Sequence, residues 1–232
     1  MTALSGSAIA ILVLGLLVAY LLGSIPTGFV LAKLLKGLDI RDHGSGNTGA
    51  TNVFRVLGKG PGITALVIDL LKGVLAVLLM RWLVTLPVLA ATSSERYAVG
   101  SGGPVSDLAA WLLVFSALLA VIGHSKSVWL GFTGGKSAAT GLGVLLALSW
   151  PVGLGVAAVF GLALAISQTV SVGSIAAALS AGMLMGALGQ PLPYVLLAIA
   201  GGLYVILRHR SNISRLLAGT EPKTFGRKTP EV

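Results

Sequence analysis

Seventy-one consecutive residues, 137–207, contain no Asp, Glu, Lys, Arg or His, and neither do residues 1–32. No other feature limits this chain more. A water-soluble domain has no use for such runs, whereas a bilayer core of about 30 Å needs roughly 20 helical residues to cross it. In lipid only helices and closed barrels satisfy their own backbones, and these runs are continuous rather than alternating. Composition agrees: 55% of the 232 residues are hydrophobic and only 10% are charged. The sequence therefore predicts an all-α, polytopic integral membrane bundle. The first 22 residues lack the basic leader of a secretory signal, since the first lysine is Lys33, so they read as a retained span.

Apolar segments fall at 7–32, 61–84 and 108–123, with four shorter ones inside 137–207. Turn signals at Trp150-Pro151, Ser167-Gln168-Thr169 and Gly189–Pro193 separate the last four. Segments this short imply tilted or broken helices in a thinned bilayer. The basic residues orient the stack. They concentrate in 33–59, in 124–136 and in the tail after Leu207, while the connector 85–107 carries only Arg96, opposed by Glu95 and Asp107. The positive-inside rule puts the three basic loops in the cytoplasm and the connector outside. An external N-terminus and a cytoplasmic C-terminus require an odd number of crossings. Seven satisfies this, and five is the fallback if 137–207 forms two long arms. The whole chain reads as one domain, with 221–232 as a flexible cytoplasmic tail. A net charge of +9 held in loops beside the spans suits anionic ligands and lipid, not nucleic acid.

Each cytoplasmic loop also holds one of the three histidines, His43, His124 and His209, which suggests a composite site on one membrane face. In the first loop, HGSGNTGATNVFR (43–55) combines glycines that turn N–H groups inward with the donors Ser45, Gly46, Asn47, Thr51 and Asn52. Arg55 adds a planar cation suited to phosphate. In the second loop, Gly134-Gly135-Lys136-Ser137 opens an apolar helix, a favourable place for an anion. It is not a Walker A loop, because Leu130 stands where the first glycine is required. The bland role for Lys136 is a snorkelling anchor. The third loop, RHRSNISRLLAGTEPK (208–223), punctuates its cations with Asn212 and Glu221. Within a span, Asp69 and Lys72 lie one helical turn apart and support either function or bundle packing. There is no cysteine, so thiolate chemistry and disulfides are excluded. The scattered histidines and scarce carboxylates give no metal site, and no cofactor is implied. An HxxxxD acyltransferase motif fails at His124, where Trp129 replaces the aspartate.

Taken together, GSIPTG (23–28), GSGNTGATNVFR (44–55), DLLKG (69–73), GH…GFTGGKSAATGLG (123–143) and RHRSNISRLLAGTE (208–221) closely resemble the bacterial acyl-phosphate:glycerol-3-phosphate acyltransferases, the PlsY family. The resemblance implies acyl transfer from a long-chain acyl phosphate to the sn-1 hydroxyl of glycerol 3-phosphate, giving lysophosphatidic acid. It implies catalytic roles for Ser45, Arg55, His124 and Asn212. It implies phosphate binding by Gly46, Asn47, Thr51, Asn52, Gly134, Gly135, Lys136, His209 and Glu221. The family commonly has Pro, Lys and Gly where this chain has Ser127, Thr133 and Ser137. The acyl tail is expected in an apolar groove, and the implied partner is an upstream enzyme that forms acyl phosphate. The alternative function is a transporter of an organic phosphate, whose broken helices and intramembrane charges would look similar.

Overall fold

The computed structural model describes residues 5–86 and 107–224, and the connector expected outside lies almost wholly beyond them. Every regular element is helical. In chain order these are α1 (Gly6–Ser24), α2 (Thr27–Lys36), α3 (Ala50–Leu57), α4 (Lys59–Leu83), α5 (Asp107–Ser125), α6 (Ala138–Leu148), α7 (Trp150–Ser167), α8 (Val170–Ala187), α9 (Leu192–Arg208) and α10 (Arg210–Leu217). Short 3-10 turns occur at Ile40–Asp42 and Val128–Leu130.

The first apolar segment is not one helix. Pro26 has no N–H to donate and pushes Ile25 out of the helical region, to φ −52° and ψ 115°, so the chain restarts as α2. The four segments expected within 137–207 are α6 to α9, so the two-arm arrangement of the fallback is not what forms. Among the described residues, five helices (α1, α4, α5, α7 and α8) are long and apolar enough to cross a membrane. A sixth crossing results if α9 and α10, bent by 58° at His209, act as one broken span. With 11 residues, α6 is short. At 1.5 Å per residue it covers only about half of the hydrocarbon thickness.

Large side chains point outward, as a lipid solvent permits: Leu14, Leu162, Ile166, Leu179 and Met183 are all exposed. Between helices, van der Waals packing must do what water does elsewhere. Small residues allow it. Gly143 of α6 sits on the Leu70 carbonyl and Gly73 of α4 on the Thr140 carbonyl, and a methyl group at either would overlap backbone. This close approach sets the N-terminus of α6 beside Asp69, where the Thr140 hydroxyl donates to the Asp69 carbonyl at 2.9 Å. The tail is tied down at its start. Glu221 is bonded on three sides, and the Thr224 N–H donates to the Gln168 carbonyl at 2.7 Å. Residues 225–232, the remainder of the expected tail, lie outside the described residues.

Candidate active site

One cavity of about 390 Å³ gathers residues from all three polar loops. Ser45, Asn47, Thr51, Asn52 and Arg55 reach it from the first loop; His124 and Lys136 from the second; His209, Asn212 and Glu221 from the third. Asp69 also lines it. The cavity then continues into the bundle between α6, α7, α8 and α9, along Leu142, Leu145, Phe160, Ala177, Ala181 and Leu197. It has a polar mouth and an apolar arm.

In the first loop, Asn52 is the organiser. It is 1% exposed, its amide nitrogen lies 2.9–3.2 Å from the carbonyls of Ile40, His43 and Asn47, and its oxygen accepts the Ser45 N–H at 2.8 Å. The Asn47 side chain accepts the Gly49 N–H at 2.8 Å and turns the chain into α3. Asn52 was expected to contact phosphate; its polar atoms are instead occupied in holding the loop. One turn further along α3, Arg55 is exposed and makes no hydrogen bond or ion pair among the described residues. Its guanidinium is free for a ligand. Gly46 and His43 are exposed and lie off the cavity lining, so only two of the three histidines meet.

The second loop folds back on α5. The Ser127 N–H donates to the Thr133 carbonyl at 3.2 Å, and the Ser127 hydroxyl donates to the Ser24 carbonyl at 2.6 Å. A proline at 127 would forfeit both bonds. Thr133 donates to the Leu130 carbonyl at 2.8 Å and stays off the cavity. Ser137 occupies the left-handed region at φ 62°, a conformation that favours glycine, and its hydroxyl is anchored to the Val121 carbonyl at 2.8 Å. Ser137 does not cap α6, so the first N–H groups of that helix are left without a side-chain partner, and Ala138 and Ala139, which carry two of them, both line the cavity.

Gly134 and Gly135 were expected to offer amides to phosphate. Neither lines the cavity. The Gly135 N–H donates to the His124 carbonyl at 3.1 Å, while Arg208 donates to both glycine carbonyls at 3.2 and 3.1 Å. A methyl on Gly135 would overlap the His124 ring nitrogen Nε2, so glycine is needed here for packing against an imidazole.

Lys136 donates to the Asn212 side-chain oxygen. The Asn212 nitrogen donates to Glu221 at 2.6 Å, and Glu221 also accepts from Ser171 at 2.9 Å and Arg215 at 2.7 Å. Glu221 was expected among the phosphate contacts. Its carboxylate accepts from three protein donors, and a carboxylate repels phosphate, so its contact is with Asn212 and not with an anion. Burial pushes its carboxyl up, but the bonds from Asn212, Arg215 and Ser171 outweigh this and hold it below the usual range. Burial lowers the Lys136 ammonium to about 8, opposed by Glu221 and reinforced by Arg215, Arg55 and Arg208. His209 places Nδ1 2.7 Å from the Val205 carbonyl, an acceptor only, so Nδ1 is the donor of that bond.

Below the mouth, the Asp69 carboxylate accepts the Thr27 hydroxyl at 2.9 Å and pairs with Lys72 at 2.9 Å, with His124 Nδ1 at 3.6 Å. Lys72 also donates to the Ile25 carbonyl at 2.9 Å and lies off the cavity lining. This buried cluster joins α2, α4 and α5 at the α1–α2 break.

The glycerol-3-phosphate acyltransferase family model matches residues 13–219. This chain belongs to the glycerol-3-phosphate acyltransferase family. Curated relatives with that name include proteins from a Nostoc species (56% identical over 207 residues, 89% of each chain) and Acaryochloris marina (50% over 216 residues, 92% of each). A glycerol-3-phosphate acyltransferase 2 from Rhizobium johnstonii is 55% identical over 214 residues, covering 90% of this chain and 94% of its own. The crystal structure of PlsY, an integral membrane glycerol 3-phosphate acyltransferase in its glycerol 3-phosphate form, has a TM-score of 0.76 at 38% identity. It covers 95% of this chain and 96% of that one. Its lysophosphatidic acid form has a TM-score of 0.71, also at 38% identity, covering 94% and 95%. The chain is therefore an acyltransferase, and the transporter alternative is set aside.

Sequence reasoning missed Arg208, Ser171 and Ser174. Arg208 read only as one more cation of a basic tail. The other two serines, on α8, line the cavity from an otherwise apolar helix and carried no local signal.

Proposed function

We propose that this enzyme takes its acyl group from an acyl phosphate and places it on the sn-1 hydroxyl of glycerol 3-phosphate, releasing lysophosphatidic acid and inorganic phosphate. One observation supports this above all: a single cavity joins a mouth rich in cations and N–H donors to an apolar arm inside the bundle. That shape suits two phosphates and one hydrocarbon tail. Lys136, the unpartnered Arg55 and the open N-terminus of α6 hold the phosphates, with Ser45, Asn47 and Thr51 around the acceptor. The glycerol hydroxyl attacks the acyl carbonyl, the new C–O ester bond forms, and the bond from that carbon to the phosphate oxygen breaks. Phosphate leaves with the electron pair. Because the donor is already activated, no covalent enzyme intermediate is needed, and holding both substrates together supplies the advantage. The hydroxyl proton passes to substrate phosphate, whose second pKa is near 6. Neither histidine is required as base, because substrate phosphate can take the proton; His124 is moreover packed between Asp69 and Gly135.

Purified enzyme in detergent, given glycerol 3-phosphate, should turn over acyl phosphate without added metal and give little product from acyl-CoA. Comparable rates with both donors would overturn the assignment of the donor site. An acyl-phosphate-forming enzyme must act upstream.

We read the chain as one membrane domain, with its N-terminus outside, its C-terminus and catalytic mouth cytoplasmic, and the short α6 completing seven crossings. In a chain without cysteine, cysteines placed at the exposed Ser45 and Ser214 should react only with reagents admitted to the cytoplasm, and one at Ser101 only from outside. Labelling of Ser214→Cys from outside would reject this orientation.

A further inference from the structure

A second cavity lies at the other end of α4. It is lined by Val74, Leu78 and Arg81 of α4, by Leu146, Ala147 and Leu148 of α6, by Ser149, Trp150 and Pro151 at the start of α7, and by Gln190. Twelve residues of α4 separate Arg81 from Asp69, about 18 Å at 1.5 Å per residue, so this pocket sits near the opposite membrane surface from the catalytic mouth.

Four features converge there. Arg81 donates one N–H to the Ala147 carbonyl at 3.0 Å, which serves the C-terminal end of the short α6, and also faces the buried Tyr194 hydroxyl, so only part of its five-donor guanidinium is left for a ligand. Ser149 is 7% exposed, yet its hydroxyl makes no hydrogen bond among the described residues and does not cap α7. In the first turn of α7 the N–H groups of Trp150 and Val152 are consequently uncapped, Pro151 having none and Gly153 donating to the Ser149 carbonyl, at the positive end of an 18-residue helix. Finally, Val74, Leu78, Leu146 and Leu148 make an apolar wall, with the exposed Trp150 at its rim. Donors and a cation against a hydrocarbon wall, at a membrane surface, match the phosphate and upper acyl chain of a phospholipid.

We propose that this pocket is a binding site for the phosphodiester headgroup of a membrane phospholipid in the leaflet opposite the catalytic mouth, held by Arg81, Ser149 and the α7 N-terminus. It is separate from substrate binding and does not depend on which acyl donor the enzyme uses.

The test is native mass spectrometry of the delipidated enzyme titrated with dioleoylphosphatidylglycerol, with inorganic phosphate titrated in parallel. Wild type should retain one lipid molecule that Arg81→Gln binds about tenfold or more weakly, as loss of a charge-assisted contact requires. Ser149→Ala should weaken it less, and carries the test if Arg81→Gln does not fold. Acyl transfer should be unchanged in both variants. Equal lipid retention by wild type and the folded variants overturns the proposal. So does saturation by inorganic phosphate with no lipid retained, which would make the ligand a free anion.

Discussion

Removing the Lys136 ammonium should lower kcat/KM roughly ten- to hundredfold. It is the cation on the cavity wall that is bonded to Asn212, and a charge-assisted contact to phosphate contributes about 1.5–3 kcal/mol. If the contact tightens in the transition state, kcat falls with kcat/KM; if it serves the ground state equally, KM rises alone. Lys136 also predicts a pH dependence. Burial lowers its pKa to about 8, so it is charged at pH 7 and loses its proton as pH rises through 8. Since kcat/KM reports groups of the free enzyme, wild type should lose activity on the alkaline side, and Lys136→Arg, if active, should not. Steady-state kinetics for both substrates, with gel filtration to show folding, decides this. A well-folded Lys136→Ala with near-wild-type kcat/KM would make Lys136 a membrane anchor instead.

The second large effect is on stability. Asp69→Ala removes the only carboxylate within 4 Å of Lys72 among the described residues and leaves a side chain that is 4% exposed carrying its charge unpaired. Removing one member of a buried ion pair costs about 3–5 kcal/mol, because the survivor's desolvation is no longer offset. The variant should show a markedly lower Tm in detergent and a misplaced His124, which lies 3.6 Å from the lost oxygen. Asp69→Leu combined with Lys72→Met should recover most of the stability, since apolar replacement of both partners is often neutral. A single variant with the wild-type Tm would show that the helix break at Ile25 is held by other contacts. The ion pair could thus be purely structural and still matter to the site, because it sits where α2, α4 and α5 converge.

Sequence alone determined the membrane class, the helical architecture and the loops that meet. These follow from local physics: a run without charge needs lipid, a backbone in lipid must satisfy itself, and the turn-forming runs at Trp150-Pro151, Ser167–Thr169 and Gly189–Pro193 separate α6, α7, α8 and α9, whereas the break at Pro26 falls inside a first apolar segment that reads as continuous. What each polar residue does in the site was a different matter. Asn52, Glu221 and Arg55 looked alike as phosphate contacts, yet Asn52 and Glu221 are occupied by protein partners whereas Arg55 is free. Likewise, Gly135 looked like an anion-binding glycine and is packed against His124, and Arg208 looked like a tail cation and holds the turn before Lys136. His43 shares a loop with Ser45 but not the cavity. A residue's type gives its capacity for hydrogen bonding, but that capacity is assigned among partners 50 to 106 residues away, as between Ser171 and Glu221 or Tyr20 and Lys126. Only the packing of the helices fixes which of those partners arrive, and therefore which donors remain open to a substrate.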